Sequence, residues 1–157
     1  MIEELYEFFA YIGIERKDLV VREEPQVTIV SFLQKLGRDS EMLVAIGIGA
    51  EDGRAEITVT KAKENADDYG TLKLLNRFNS EFSGMTFFAG SKAVTLRIML
   101  DGEYEFRVLA AKLFSAIAVA KEAFLNLDGL GKSFLFLFNL VALLKVQLYT
   151  ERRKFFL

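Results

Sequence analysis

The sequence predicts an α+β fold: an antiparallel five-stranded sheet with helices packed on it, in the order αβββαββα, followed by a C-terminal apolar helix. Three kinds of observation carry that expectation. Apolar residues recur at helical spacing in three separate stretches, the stretches between them alternate or are rich in β-branched residues, and turn residues stand where the periodicity changes.

The first stretch places Ile2, Leu5, Tyr6, Phe9 and Ile12 on one side of a helix, with Glu3, Glu4 and Glu7 mainly opposite. Gly13 and a charged stretch to Pro25 read as a connector, and Val27 to Leu33 as a strand with apolar groups on both faces. Met42, Val44, Ile46 and Ile48 then alternate with Leu43, Ala45, Gly47 and Gly49. The turn Glu51-Asp52-Gly53-Arg54 leads into a third strand, Ala55 to Thr60, adjacent and antiparallel to the second. In that strand Ile57 and Val59 face one way and Glu56, Thr58 and Thr60 the other, so helices should cover only the apolar side.

Asp67 or Asp68 can cap a second helix carrying Leu72, Leu75, Phe78 and Phe82, which Gly84 ends. Two strands follow, Met85 to Phe88 and Val94 to Leu100, joined through Gly90-Ser91-Lys92, with Val94, Leu96, Ile98 and Leu100 as the buried row. Beyond Asp101-Gly102 runs the longest helix, about Tyr104 to Asn126. Its Ala110, Ala111, Ala116, Ala118, Ala120 and Ala123 permit close approach to a neighbour.

Composition narrows what such a chain does. Its 157 residues are 52% hydrophobic with 15 Phe, enough to build one core without a disulfide or structural metal. A net charge of −2 supplies no positive field for a phosphate backbone, so nucleic acid is not an expected partner. Cysteine and histidine are both absent, which removes thiolate nucleophiles, Cys or His zinc sites and every Ser-His or Cys-His arrangement. The N-terminus lacks the basic start and apolar stretch of a secretory signal, so a cytoplasmic location is the default expectation.

Several motifs resolve into ordinary structure. Gly47-Ile48-Gly49 with Gly53 falls short of GxGxxG because Asp52 stands at the third glycine, and a hairpin is the better reading. Gly131-Lys132-Ser133 falls short of a P-loop because Asn126 stands at its first glycine, after a helix rather than a strand. The pairs Glu23-Glu24, Glu51-Asp52 and Asp67-Asp68 do not converge, so they read as solvated loops and caps rather than a metal site or a hydrolase centre. No catalytic, cofactor or metal residue is therefore assigned, and no binding residue is singled out. Of the aromatics Phe8, Phe9, Phe32, Phe78, Phe82, Phe87, Phe88, Phe106 and Phe114, most should be core, with a remainder lining a dimer seam or a partner groove.

Residues 128–157 form an extension outside the domain of residues 1–127. Ser133 to Tyr149 is apolar apart from Asn139, Lys145 and Gln147, and Glu151-Arg152-Arg153-Lys154 follows. It reads as a packed helix, as a helix given to an oligomer, or as a membrane anchor. A spanning helix needs about 20 apolar residues, which favours protein packing over membrane contact.

The run Leu74-Leu75-Asn76-Arg77-Phe78-Asn79, followed by Phe82, short strands and Tyr104 to Ala120, resembles the YbjN family of bacterial sensory transduction regulators. That family is similar in fold to type III secretion chaperones. The resemblance spans roughly residues 1–127 and implies a domain that dimerises and binds extended protein segments, with no catalytic residues to carry over. The expected function is a non-enzymatic, chaperone-like or regulatory protein-binding module acting as a homodimer. The alternative is a small-molecule sensor with an apolar pocket between the sheet and the long helix, lined by Phe78, Met99 and Phe114.

Overall fold

A computed structural model describes residues 1–127 of the chain. The predicted C-terminal helix and the Gly131-Lys132-Ser133 turn lie outside the described residues. Helix α1 (Ile2–Tyr11) leads through a 3₁₀ turn (Arg16–Asp18) into β1 (Val20–Glu23), β2 (Val27–Lys35), β3 (Glu41–Gly49) and β4 (Ala55–Ala62). Then come α2 (Tyr69–Glu81), β5 (Thr86–Ala89), β6 (Ala93–Leu100) and α3 (Phe106–Leu127).

The strands form one antiparallel sheet in the order β1-β2-β3-β4-β6-β5. The α+β class and the antiparallel sheet agree with the sequence reading; the strand count does not, being six rather than five. The additional strand is β1, inside the stretch read as a connector. All four of its residues are exposed, so it carries no alternation of burial for a hydropathy pattern to register. Its identity comes from pairing with β2, Val20 opposite Ser31 and Glu23 opposite Thr28. The long helix begins at Phe106, two residues later than its periodicity suggested.

Strand registers align the apolar residues into rows. Phe32, Val44, Val59, Leu96 and Phe87 stand side by side across five strands, and Val30, Ile46, Ile57 and Ile98 form the next row; all are buried. Because side chains alternate along a strand, these rows share one face. Helix α3 packs on that face through Leu109, Leu113, Ala116, Val119 and Ala120, the alanines letting its backbone come close to β4 and β6. Helix α1 closes one end, with Phe9 edge-on to Phe32 at 5.2 Å and Phe8 edge-on to Phe106 and Phe114 at 6.1 Å. Helix α2 closes the β5 end, where Phe78 lies 5.3 Å from Phe87 and 6.3 Å from Phe82.

Candidate functional site

All the described helices that pack on the sheet lie on one side, and the opposite face carries three rows of its own. Leu33, Leu43, Thr60, Thr95 and Phe88 make one; Val20, Ser31, Ala45, Thr58, Arg97 and Thr86 the second; Arg22, Ile29, Gly47, Glu56 and Met99 the third. Threonines and charged groups on β4 and β6 satisfy the expectation of a wet side. The apolar groups among them are exposed to an unusual degree: Leu33 is 63% exposed, Val20 54%, Met99 49%, Leu43 44% and Phe88 43%. Contiguous exposed apolar patches mark interaction surfaces, whereas singly scattered apolar residues do not; here Leu33 and Leu43 are direct neighbours, and Thr60 and Thr95 stand between them and Phe88.

Between those groups the face dips. A depression of ≈410 Å³ is lined by Val27, Ile29, Ala45, Gly47, Gly49, Arg54, Ala55, Glu56, Thr58 and Met99. Its floor is made by the two glycines, for different reasons. A Cβ on Gly49 would run into the Asp52 carboxylate, so Gly49 serves the β3–β4 hairpin. A Cβ on Gly47 would meet only Val27 Cγ2 at 3.5 Å, an ordinary contact, so packing does not demand glycine there and its missing side chain is what keeps the depression open.

Charge on the face sits around the apolar groups. The Arg97 guanidinium lies 5.4 Å from the Phe88 ring centroid, a cation–π arrangement that leaves its donors available. Arg54 pairs with Asp52 at 3.3 Å and Asp101 at 3.8 Å, at the hairpin end of the depression. Thr60 and Thr95 hydroxyls bond each other at 3.0 Å.

The three residues expected to line a pocket between the sheet and the long helix are not brought together. Phe78 packs with Phe82 and Phe87 under α2, Phe114 packs with Phe8, and Met99 lies on the open face. Ile98 takes the inward place beside it, because neighbours on a strand point oppositely. Of the aromatic surplus, Phe8, Phe9, Phe32, Phe78 and Phe87 are buried, Phe82, Phe106 and Phe114 pack partly buried against the core, and Phe88 alone of that set lies on the open face.

The acidic pairs stay apart, and no group of three metal-binding side chains forms among the described residues. Glu23 ends β1 and Glu24 follows it, exchanging backbone hydrogen bonds with Val27. Asp52 accepts from the Arg54 N–H at 3.1 Å, and its carboxylate adds to burial in raising the Tyr104 phenol above its ordinary value. Asp68 is the cap of α2, accepting from the Thr71 N–H at 2.8 Å and the Thr71 hydroxyl at 3.1 Å. The Thr71 amide bond is the main reason its carboxyl sits below the usual range, with Lys63 helping. A depressed folded pKa contributes stability that is present above the unfolded value and is lost as pH falls through the folded one. Asp68→Asn keeps a capping oxygen without the charge. Its stability is therefore expected to fall less than that of the wild type on acidification, as read by urea midpoints across the acid range.

Fold and face together define a class: an α+β domain whose antiparallel sheet has one helix-covered face and one open face that exposes several large apolar side chains among polar ones. No family model matches the chain, and no curated protein matches it significantly. Nor is any described helix long and apolar enough to cross a membrane.

Proposed function

We propose that the protein is a non-enzymatic binding module, chaperone-like or regulatory, which acts as a homodimer and holds an apolar protein segment on the open face of its sheet. Membership of the YbjN family is part of this proposal. The observation that carries it is the exposed set Val20, Leu33, Leu43, Phe88 and Met99 on the face away from the helices. A preformed apolar face needs little ordering on binding, so its burial goes largely into affinity.

The test is suppression of aggregation of a heat-unfolded client protein. Leu33→Glu combined with Leu43→Lys is expected to abolish suppression while changing stability by no more than about 1 kcal/mol in all, because both side chains are exposed and the two new charges, directly opposite each other on β2 and β3, are of opposite sign. Gly47→Leu, which fills the depression, is expected to weaken suppression without lowering the melting temperature. A wild-type protein that suppresses nothing, or a double variant that suppresses as well as the wild type, would sink the proposal.

The depression favours a second reading, a small-molecule sensor. Its ≈410 Å³ falls in the range of ligand sites, and Arg54 and Glu56 offer one charge of each sign at its rim. On this reading a ligand raises the melting temperature of the wild type and not of Gly47→Leu.

A further inference from the structure

We propose that the homodimer of the preceding reading, on which this inference rests, forms by edge-to-edge pairing of β1 with β1 of a second copy. The strand is an open edge: it ends the sheet, and all four of its residues are exposed. Glu24 and Val27 exchange both backbone hydrogen bonds, at 3.0 and 3.3 Å. Antiparallel pairs alternate between this kind and the outward-bonding kind, so Val20 and Arg22 turn their peptide groups to β2 while Val21 and Glu23 turn theirs to the open side. Leu19 is extended, at φ −92° and ψ 134°, and continues the alternation to the open side; its N–H is taken by the Arg16 carbonyl at 3.2 Å, which leaves its carbonyl as the group offered to a neighbouring strand.

Charge identifies the occupant. The segment reads Arg16-Lys17-Asp18-Leu19-Val20-Val21-Arg22-Glu23-Glu24. Laid antiparallel on itself about Val20, it sets Arg16 against Glu24, Lys17 against Glu23, Asp18 against Arg22 and Leu19 against Val21, so every charged residue meets its opposite. The same register places outward-bonding residues opposite each other, letting each Val21 N–H donate to the Leu19 carbonyl of the other copy. Moving the centre to Val21 sets Asp18 against Glu24, and moving it to Arg22 sets two arginines together. The strand that best complements this edge is therefore the edge itself, inverted.

Arg16–Asp18 is a 3₁₀ turn and rises less per residue than a strand, so the match is between Arg16 and Lys17 of one copy and Glu23 and Glu24 of the other rather than atom by atom, with Lys17 turning from Glu15, its partner at 2.6 Å within one copy, toward the facing carboxylates. Charges act over roughly 8 Å at physiological salt, which bridges that offset. Val20 would meet its own copy at the two-fold axis. The result is one continuous sheet with six strands from each copy, the helices all on one side and the apolar faces all on the other.

The experiment is solution mass of the full chain by light scattering, using Arg16→Glu with Lys17→Glu as one variant and Glu23→Lys with Glu24→Lys as a second. All four side chains are exposed, and far-UV circular dichroism with a thermal melt checks that both variants fold. The wild type is expected at twice the mass of one chain. Each variant alone, with like charges at both ends, is expected at the mass of one chain, and an equimolar mixture of the two is expected to recover the doubled mass. A wild type that runs as a monomer would overturn this inference together with the homodimer beneath it. A wild-type dimer that both folded variants retain, or two monomeric variants whose mixture stays monomeric, would overturn the β1 edge alone.

Discussion

Phe9→Ala is expected to destabilise the domain by about 3–5 kcal/mol, measured as a lowered urea midpoint with little change in slope. Phe9 is fully buried, lies edge-on to Phe32 at 5.2 Å and sits 6.3 Å from Phe8. It joins α1 to the longest buried row of the sheet, so truncation both exposes less apolar area to burial and leaves a cavity between two rigid elements. Neither neighbour can follow the lost ring: Phe32 is held by the β2–β3 register and Phe8 by Phe106 and Phe114. Against a total stability of about 5–15 kcal/mol, such a loss takes a large share of what holds the chain folded. A loss below about 1 kcal/mol would show that α1 is not integral to the core.

The second expected effect is local. Asn79 clamps α2 to the edge strand β5, its amide nitrogen donating to the Phe87 carbonyl at 3.0 Å and its oxygen accepting from the Phe87 N–H at 2.7 Å. Both bonds go to one residue, so the side chain mimics a further strand along β5. Asn79→Ala removes both at once and leaves two backbone groups without those partners, at a cost of about 1–3 kcal/mol. Asn79→Asp keeps the acceptor, loses the donor and sets a carboxylate beside a carbonyl, so it is expected to be as harmful. Hydrogen exchange at the Phe87 amide reads the effect: exchange should quicken there while amides in β3 and β4 stay protected. Uniform quickening would mean that Asn79 holds the whole fold rather than one edge.

Asn79 also shows what a sequence pattern can and cannot say. In the sequence it was the last residue of Leu-Leu-Asn-x-x-Asn, a string carrying a resemblance; in the fold it is a bracket between a helix and a strand eight residues on. Its first asparagine, Asn76, is exposed and takes no comparable position. The open face was half legible in the same sense. Glu56, Thr58 and Thr60 marked the wet side of β4 and the row Val94, Leu96, Ile98 and Leu100 turned Met99 away from the core, yet Leu33 and Leu43, in strands apolar on both faces, gave no sign that they lie on that side.

Local pattern determined the three described helices, five of the six strands, the hairpin at Gly53 and the capping of α2, since helical and strand periods and turn chemistry act over a few residues. It also determined the absence of cysteine and histidine chemistry. Tertiary structure alone decided that β1 is a strand, that Leu33 and Leu43 share the open face with Phe88, and that Gly47 opens a depression. Each depends on register between distant segments, where a shift of one residue moves a side chain to the other face. An exposed edge strand, in particular, buries nothing that a hydropathy pattern could record; its hydrogen bonds to β2 define it.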